Sequence, residues 1–227
     1  MDERTNNILT NIFNGILTAL ICVVAFLIIV FTCFNFVYVQ TPVYGTSMQM
    51  LLNPNATTSE DSEDFAFVNK YGPLMRNNIV VADVPWFTKG SIIKRLVGMP
   101  GDLINVKVEG NQYALYVNDE LFYKKPITDK TATHTYANLI TFCVRFPQNA
   151  YTDATTGTQY IKVNDGEYFL LGDNWEVSDD CAVHGCTKKE EIVGRVDFAI
   201  HKNGSYVLQY LGALLKITFT TEPMIFC

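Results

Sequence analysis

The chain has 227 residues, the length of one domain or of one domain with an appendage. Hydrophobic residues make up 48% and charged residues only 18%, with a slightly positive mean hydropathy that is unusual for a soluble domain. The formal net charge of −6 argues against a nucleic-acid-binding face, which wants basic residues.

The apolar excess is concentrated near the N-terminus, since no charged residue occurs from Thr5 to Ser59. Residues 1–15 read as a short cytoplasmic tail. Residues 16–39 form a nearly unbroken apolar run, and about 20 such residues in a helix cross the ~30 Å hydrocarbon core of a bilayer. The interruptions Thr18, Thr32 and Asn35 are mild, and Tyr38 falls where interfacial aromatics sit. The run is too long for the core of a cleaved secretory signal, and no small-x-small site follows it, so an uncleaved anchor is expected. Arg4 precedes the run and the next cation is Lys70, which puts the N-terminus in the cytoplasm and the remainder outside.

Residues 40–227 read as a β-rich extracytoplasmic body, with an insertion or cap around 107–165. Short runs of Val, Ile, Tyr and Phe predict strands over 79–82, 91–97, 103–108, 114–117, 139–146, 160–163, 168–171, 193–200 and 206–211. Turn signals separate them at Pro100-Gly101-Asp102, Asn118-Asp119, Asn164-Asp165-Gly166 and Asn203-Gly204. Residues 53–64, 128–138 and 148–159 read as polar loops, and no amphipathic helix is expected after the anchor. The C-terminal run 206–215 is too short to span a bilayer.

Six cysteines are too few for a disulfide scaffold. The spacing permits a bridge between Cys181 and Cys186 without requiring one. A metal site formed with Asp179, Asp180 and His184 is the alternative, although the spacing matches no tight zinc pattern.

Three blocks carry chemistry: Gly45-Thr46-Ser47-Met48, Lys94-Arg95-Leu96-Val97-Gly98-Met99-Pro100-Gly101-Asp102, and Gly172-Asp173-Asn174 followed by Ser178 and Asp180. Ser47 lies just beyond the anchor, and a serine hydroxyl needs a base to become a nucleophile. Lys94 shares a strand face with Ile92 and Leu96, while Arg95 points the other way. On an inner face its amine would be desolvated and could act as that base. On an edge strand it would snorkel to the surface. Both halves of the strand are apolar, so alternation leaves the choice open. For Asp173, Asn174, Ser178 and Asp180 a loop-stiffening role is the ordinary reading.

In this order, and after an N-terminal anchor, the three blocks resemble type I signal peptidase of the bacterial kind, and the resemblance covers nearly the whole chain. The second block is its most specific part. Lys94 stands where relatives of the endoplasmic reticulum carry His. The resemblance implies a mostly-β body on one transmembrane helix. It implies Ser47 as nucleophile, Lys94 as general base, and Ser178 as hydrogen-bond partner of the Lys94 amine. The Ser47 N–H would serve an oxyanion hole, to which Gly45 adds no hydroxyl where some members carry Ser. Gly172, Asp173 and Asp180 would shape the surrounding loop.

Implied partners are membrane-bound preproteins with signal peptides, the lipid bilayer and the secretion translocon, with no cofactor, metal or nucleic acid. The chain departs from the family pattern at Trp175, at Gln49-Met50-Leu51, and at Asp180-Cys181-Ala182. The last change removes the expected Arg partner of Asp180, for which Arg195 or His184 could substitute. Two rival readings remain: a non-catalytic relative acting in envelope or pilus assembly, and a soluble autoproteolytic repressor-type enzyme. The anchor argues against the second.

Overall fold

The computed structural model describes residues 3–49, 51–58, 64–201 and 225–226. The chain divides into two compact units, residues 1–39 and 40–227.

The first unit is the helix α1 (Glu3–Val37). Its stretch Asn7–Val37 is long and apolar enough to cross a membrane. The polar side chains within it turn back onto their own helix. Thr18 donates to the Asn14 carbonyl, Thr32 to Ile28 and Asn35 to Phe31, each at 2.8 Å. Such back-bonding lets an apolar helix carry Thr and Asn without presenting unsatisfied donors to lipid.

In chain order the strands are β1 (Tyr38–Val43), β2 (Asp64–Asn69), β3 (Ile79–Ala82), β4 (Ile92–Gly98), β5 (Leu103–Glu109), β6 (Gln112–Val117) and β7 (Glu120–Pro126). A helical segment follows, comprising α2 (Asp129–Thr131), a π turn over Ala132–Tyr136, α3 (Ala137–Ile140) and α4 (Phe142–Arg145). Next come β8 (Ala150–Thr152), β9 (Gln159–Lys162), β10 (Glu167–Leu171), the single turn α5 (Cys181–His184), β11 (Thr187–Lys188), β12 (Ile192–His201) and β13 (Ile225–Phe226). One sheet has the order β1-β2-β12-β3-β4-β10-β11, with β13 also on β12; the other runs β7-β6-β5-β9-β8. The body is mostly β, as expected.

β3 and β4 lie between two apolar clusters. Val80, Ala82, Ile92 and Leu96 pack into the larger one, while Ile79, Val81 and Ile93 pack into the smaller. Both faces of β4 are therefore buried, which is why its sequence shows no clean polar alternation. The register sets Val80 opposite Lys94 and Ile79 opposite Arg95. The β6–β7 hairpin turns at Asn118 and Asp119, both at positive φ (53° and 62°), the conformation that favours Asn and Asp in tight hairpins.

Several expectations fail here. Residues 139–146 are helical up to Arg145, not a strand. Leu139, Phe142 and Cys143 are buried while Ile140 and Val144 are exposed, a helical period. The expected loop 128–138 is the start of this helical segment. The Thr128 hydroxyl accepts from the Thr131 N–H at 3.0 Å, and the Thr131 hydroxyl accepts from the Thr128 N–H at 2.8 Å, a reciprocal cap. β1, β2 and β7 were not anticipated, and the loop 148–159 contains β8. The acidic segment 53–64 is pinned at its ends: Asn53 N–H donates to the Asp64 carboxylate at 2.7 Å, and Asp64 N–H to the Asn53 amide oxygen at 3.1 Å. The strand expected over 206–211 and the run 206–215 lie outside the described residues.

Candidate functional site

Ser47 sits in a tight turn after β1. Gly45 enters it at φ 79°, a conformation that costs a glycine nothing. The Gln49 N–H closes the turn on the Thr46 carbonyl at 3.2 Å. Met48 and Leu52, both buried, plug the turn into the smaller apolar cluster. The chain thus presents Ser47 while its neighbours are held from below.

Lys94 projects from β4 on the face of Ile92 and Leu96 and is only 4% exposed. It is not a snorkelling edge residue. Burial pushes its amine below the ordinary lysine value, opposed by the negative charges of Asp180 and then Asp179. Among the described residues no hydrogen bond or ion pair holds the amine. Ser47 and Lys94 line the same cleft, of about 660 Å³, together with Tyr44, Trp86, Val177 and Asp179.

The segment after β10 packs directly on the Ser47 turn. A β-carbon at Gly172 would lie 2.9 Å from the Ser47 carbonyl oxygen and collide with Ser178, so only glycine fits. Asp173 receives a bidentate ion pair from Arg95, at 2.7 and 2.6 Å. Arg95, on the face of β4 opposite Lys94, also donates to Asn77. Asn174 donates its backbone N–H to the Ser47 carbonyl at 2.9 Å and its side-chain amide to the Thr46 carbonyl at 3.1 Å.

Ser178 and Asp180 are fully buried. The Ser178 hydroxyl donates to the Asp180 carboxylate at 2.5 Å. The hydrogen bond expected between Ser178 and the Lys94 amine is not formed among the described residues; the Ser178 hydroxyl hydrogen goes to Asp180, which leaves its oxygen lone pairs as acceptors. Asp180 also accepts from the Gly172 N–H at 2.9 Å and caps α5 through the Ala182 N–H at 3.0 Å. Burial nevertheless pushes its carboxyl above the usual carboxylate range, with the Lys94 charge the main opposing influence. Neither anticipated substitute for the missing arginine reaches Asp180. Arg195 pairs with Asp197 at 2.7 Å, and His184 bonds Asp179 at 2.9 Å while stacking on Trp86. Asp180 instead receives three hydrogen bonds, from Ser178, Gly172 and Ala182, and feels the nearby Lys94 charge.

Cys181 and Cys186 are free thiols, not a bridge. Cys181 accepts from the Leu170 N–H, and burial pushes its thiol up to about 12. Among the described residues no group of three or more His, Cys, Asp and Glu side chains forms a metal-binding cluster.

Four more residues build this site: Trp175 and Arg95, which the sequence marks only as a departure from the family pattern and as the residue facing away from Lys94, and Arg145 and Lys125, which no motif contains. Trp175 is buried, with its indole N–H on the Tyr123 hydroxyl at 2.9 Å. Arg145 donates to the Ala182 and Val183 carbonyls, tying the helical segment to α5. Lys125 donates to the Asp173 carbonyl at 2.8 Å. Arg95, next to Lys94 on β4, pairs with Asp173.

The family model for signal peptidase, peptidase S26, matches residues 16–201. Signal peptidase IB of Staphylococcus aureus (strain COL) is 29% identical over 185 residues, covering 81% of this chain and 88% of that protein. Signal peptidase I of Streptococcus pneumoniae serotype 4 is 33% identical over 154 residues, covering 60% and 73%. The crystal structure of a signal peptidase I from Enterococcus faecalis V583 shares 22% identity over 55% of this chain and 97% of its own, with a TM-score of 0.34.

Proposed function

The chain belongs to the signal peptidase family of serine peptidases, and from that premise we propose that it removes signal peptides from membrane-bound preproteins with a Ser47–Lys94 dyad. The observation that carries this reading is a lysine amine buried and desolvated in the cleft that Ser47 also lines. Deprotonated, Lys94 takes the Ser47 proton as the Ser47 Oγ attacks the scissile carbonyl. The tetrahedral oxyanion is met by the Ser47 N–H, which has no hydrogen-bond partner among the described residues. Lys94 returns the proton to the leaving amine. It then activates the water that hydrolyses the acyl-enzyme. This chemistry needs no metal or organic cofactor.

Asp180, held by Ser178, acts on Lys94 through its charge, while Gly45, Gly172 and Asp173 keep the surrounding turns in place. The α1 helix anchors the protein in the bilayer with residues 1–15 in the cytoplasm and residues 40–227 outside, beside the translocon from which preproteins emerge. Confinement of enzyme and substrate to one surface raises their effective concentration. Cleavage follows a small-x-small motif beyond the substrate's apolar segment.

The test is to follow exported preproteins in cells carrying Ser47→Ala in place of the parent, and to repeat the cleavage in detergent with purified protein. Precursors that accumulate only with Ser47→Ala support the reading. Identical processing by both proteins would point to the non-catalytic assembly factor.

A further inference from the structure

The Ser47 turn is gripped at two successive carbonyls by one residue. Asn174 gives its backbone N–H to the Ser47 carbonyl at 2.9 Å and its side-chain Nδ2 to the Thr46 carbonyl at 3.1 Å. The orientation of this amide follows from the network. Its Oδ1 accepts from the Glu176 N–H at 3.2 Å, a bond that a flipped amide could not make, so the donor end must face Thr46.

The Thr46 carbonyl and the Ser47 N–H belong to one peptide group. No described peptide bond is cis. In a trans peptide the C=O and N–H point to opposite sides. The Thr46 oxygen thus has two donors, the turn-closing Gln49 N–H at 3.2 Å and the Asn174 amide at 3.1 Å, and drawing it toward Asn174 turns the Ser47 N–H away from that residue. A donor on the carbonyl oxygen also polarises the peptide and strengthens its N–H.

A second peptide works the same way one step further back. Lys125, at the end of β7 in the other sheet, places its ammonium 2.8 Å from the Asp173 carbonyl oxygen. That carbonyl shares its peptide group with the Asn174 N–H, which holds the Ser47 carbonyl. A cation on the Asp173 oxygen makes the Asn174 N–H a stronger donor.

We infer that Asn174 is a positioning residue for the oxyanion donor: its side-chain amide fixes the Thr46–Ser47 peptide plane so that the Ser47 N–H faces the developing negative charge, and Lys125 reinforces the grip through the Asp173–Asn174 peptide. The inference rests on the reading of Ser47 as nucleophile. Asn174 bonds the Thr46 and Ser47 carbonyls and does not line the cleft, so it acts on the transition state through a peptide plane.

The test compares parent, Asn174→Asp and Lys125→Met on a preprotein in detergent, with kcat and KM measured separately. Asn174→Asp keeps the backbone N–H and the Oδ1 acceptor for Glu176. It replaces the donor facing Thr46 by a carboxylate oxygen. Removing an oxyanion donor outright costs about 10²–10³ in kcat, so misaligning one should cost roughly 10–100-fold. KM should stay within about twofold, because ground-state contacts are untouched. Affinity for a peptide aldehyde, which forms a tetrahedral adduct on the serine, should fall in parallel with kcat, while affinity for an uncleavable substrate-like peptide should not. Lys125→Met should show the same signature with a smaller fall in kcat.

Full kcat in Asn174→Asp overturns the inference. So do equal losses of affinity for the aldehyde and the substrate-like peptide, which would mark general loosening. If Asn174→Asp does not accumulate, Lys125→Met decides by the same comparison. A parent indistinguishable from Ser47→Ala overturns the underlying reading of the site. A Ser47-dependent parent with an unaffected Asn174→Asp overturns this inference alone.

Discussion

Lys94 and Asp180 bring opposite charges into one buried place, and each moves the other's titration. Burial lowers the Lys94 value and Asp180 is the largest influence raising it again. A lysine acting as base must be neutral, so kcat/KM should rise with pH as Lys94 loses its proton. Asp180→Asn keeps an oxygen acceptor for Ser178 and Gly172 but removes the charge. The acid limb of the profile should therefore move to lower pH, and a limb that stays or moves up would show that Asp180 does not act on the base. Asp179→Asn should shift it in the same direction by less. Lys94→Arg should abolish processing while the protein remains inserted and folded, because a guanidinium stays protonated near neutrality. Precursor accumulation and thermal melting of the purified variant check the two halves of that statement.

At the level of elements, the site depends on two turns that approach closely: the one carrying Ser47 and the segment that follows β10. Gly172 is the point of nearest approach, where a β-carbon would meet both Ser178 and the Ser47 carbonyl. Backbone cannot yield as a flexible side-chain tip can. Gly172→Ala should cost about 1–3 kcal/mol by overpacking. For a protein of this size that lowers Tm by roughly 2–12 °C. Because the displaced groups are the Ser47 backbone and Ser178, the proposed dyad predicts that kcat falls well beyond what the lost stability explains, and assays at a temperature where the variant remains folded separate the two. Gly15→Ala is the control, since its β-carbon would meet nothing within 4 Å. The helical segment enters the same assembly through Arg145, whose contacts with the Ala182 and Val183 carbonyls hold the far end of α5.

For the whole molecule, orientation across the membrane decides whether the cleft meets its substrates. Arg4 on one side of α1, and no further cation until Lys70, favour a cytoplasmic N-terminus. Protease added to intact spheroplasts should then cut within residues 53–64, leaving a fragment of the size of the anchor. Protection of that segment until the membrane is opened would reverse the orientation. The clamp between Asn53 and Asp64 should confine cutting to the interior of the segment, because both ends are held by buried hydrogen bonds.

What the amino-acid order determined by itself was carried by short-range patterns: the apolar run of α1, the β-branched strands β3 and β4, the turn at Asn118-Asp119, and the three blocks that hold Ser47, Lys94 and Asp180. Each depends on neighbours along the chain, and so each can be read without a fold. The helix over 137–145 was also written there, in the apolar spacing 139, 142, 143 and 146. The same residues form an apolar run rich enough to pass for a strand, and packing against β5 and β9 selected the helix. Tertiary structure alone decided which residues meet. Lys94 is inside because β4 has an apolar cluster on each face, so alternation along its sequence had no outer side to report. Arg95 finds Asp173 across 78 positions, and Asn174 reaches Thr46 across 128. Asp180 reaches back to the Gly172 N–H at the end of β10 while capping α5, so one buried carboxylate joins the two segments. Partners brought together by chain folding leave no periodicity behind, and their choice follows from which buried charge most needs a donor.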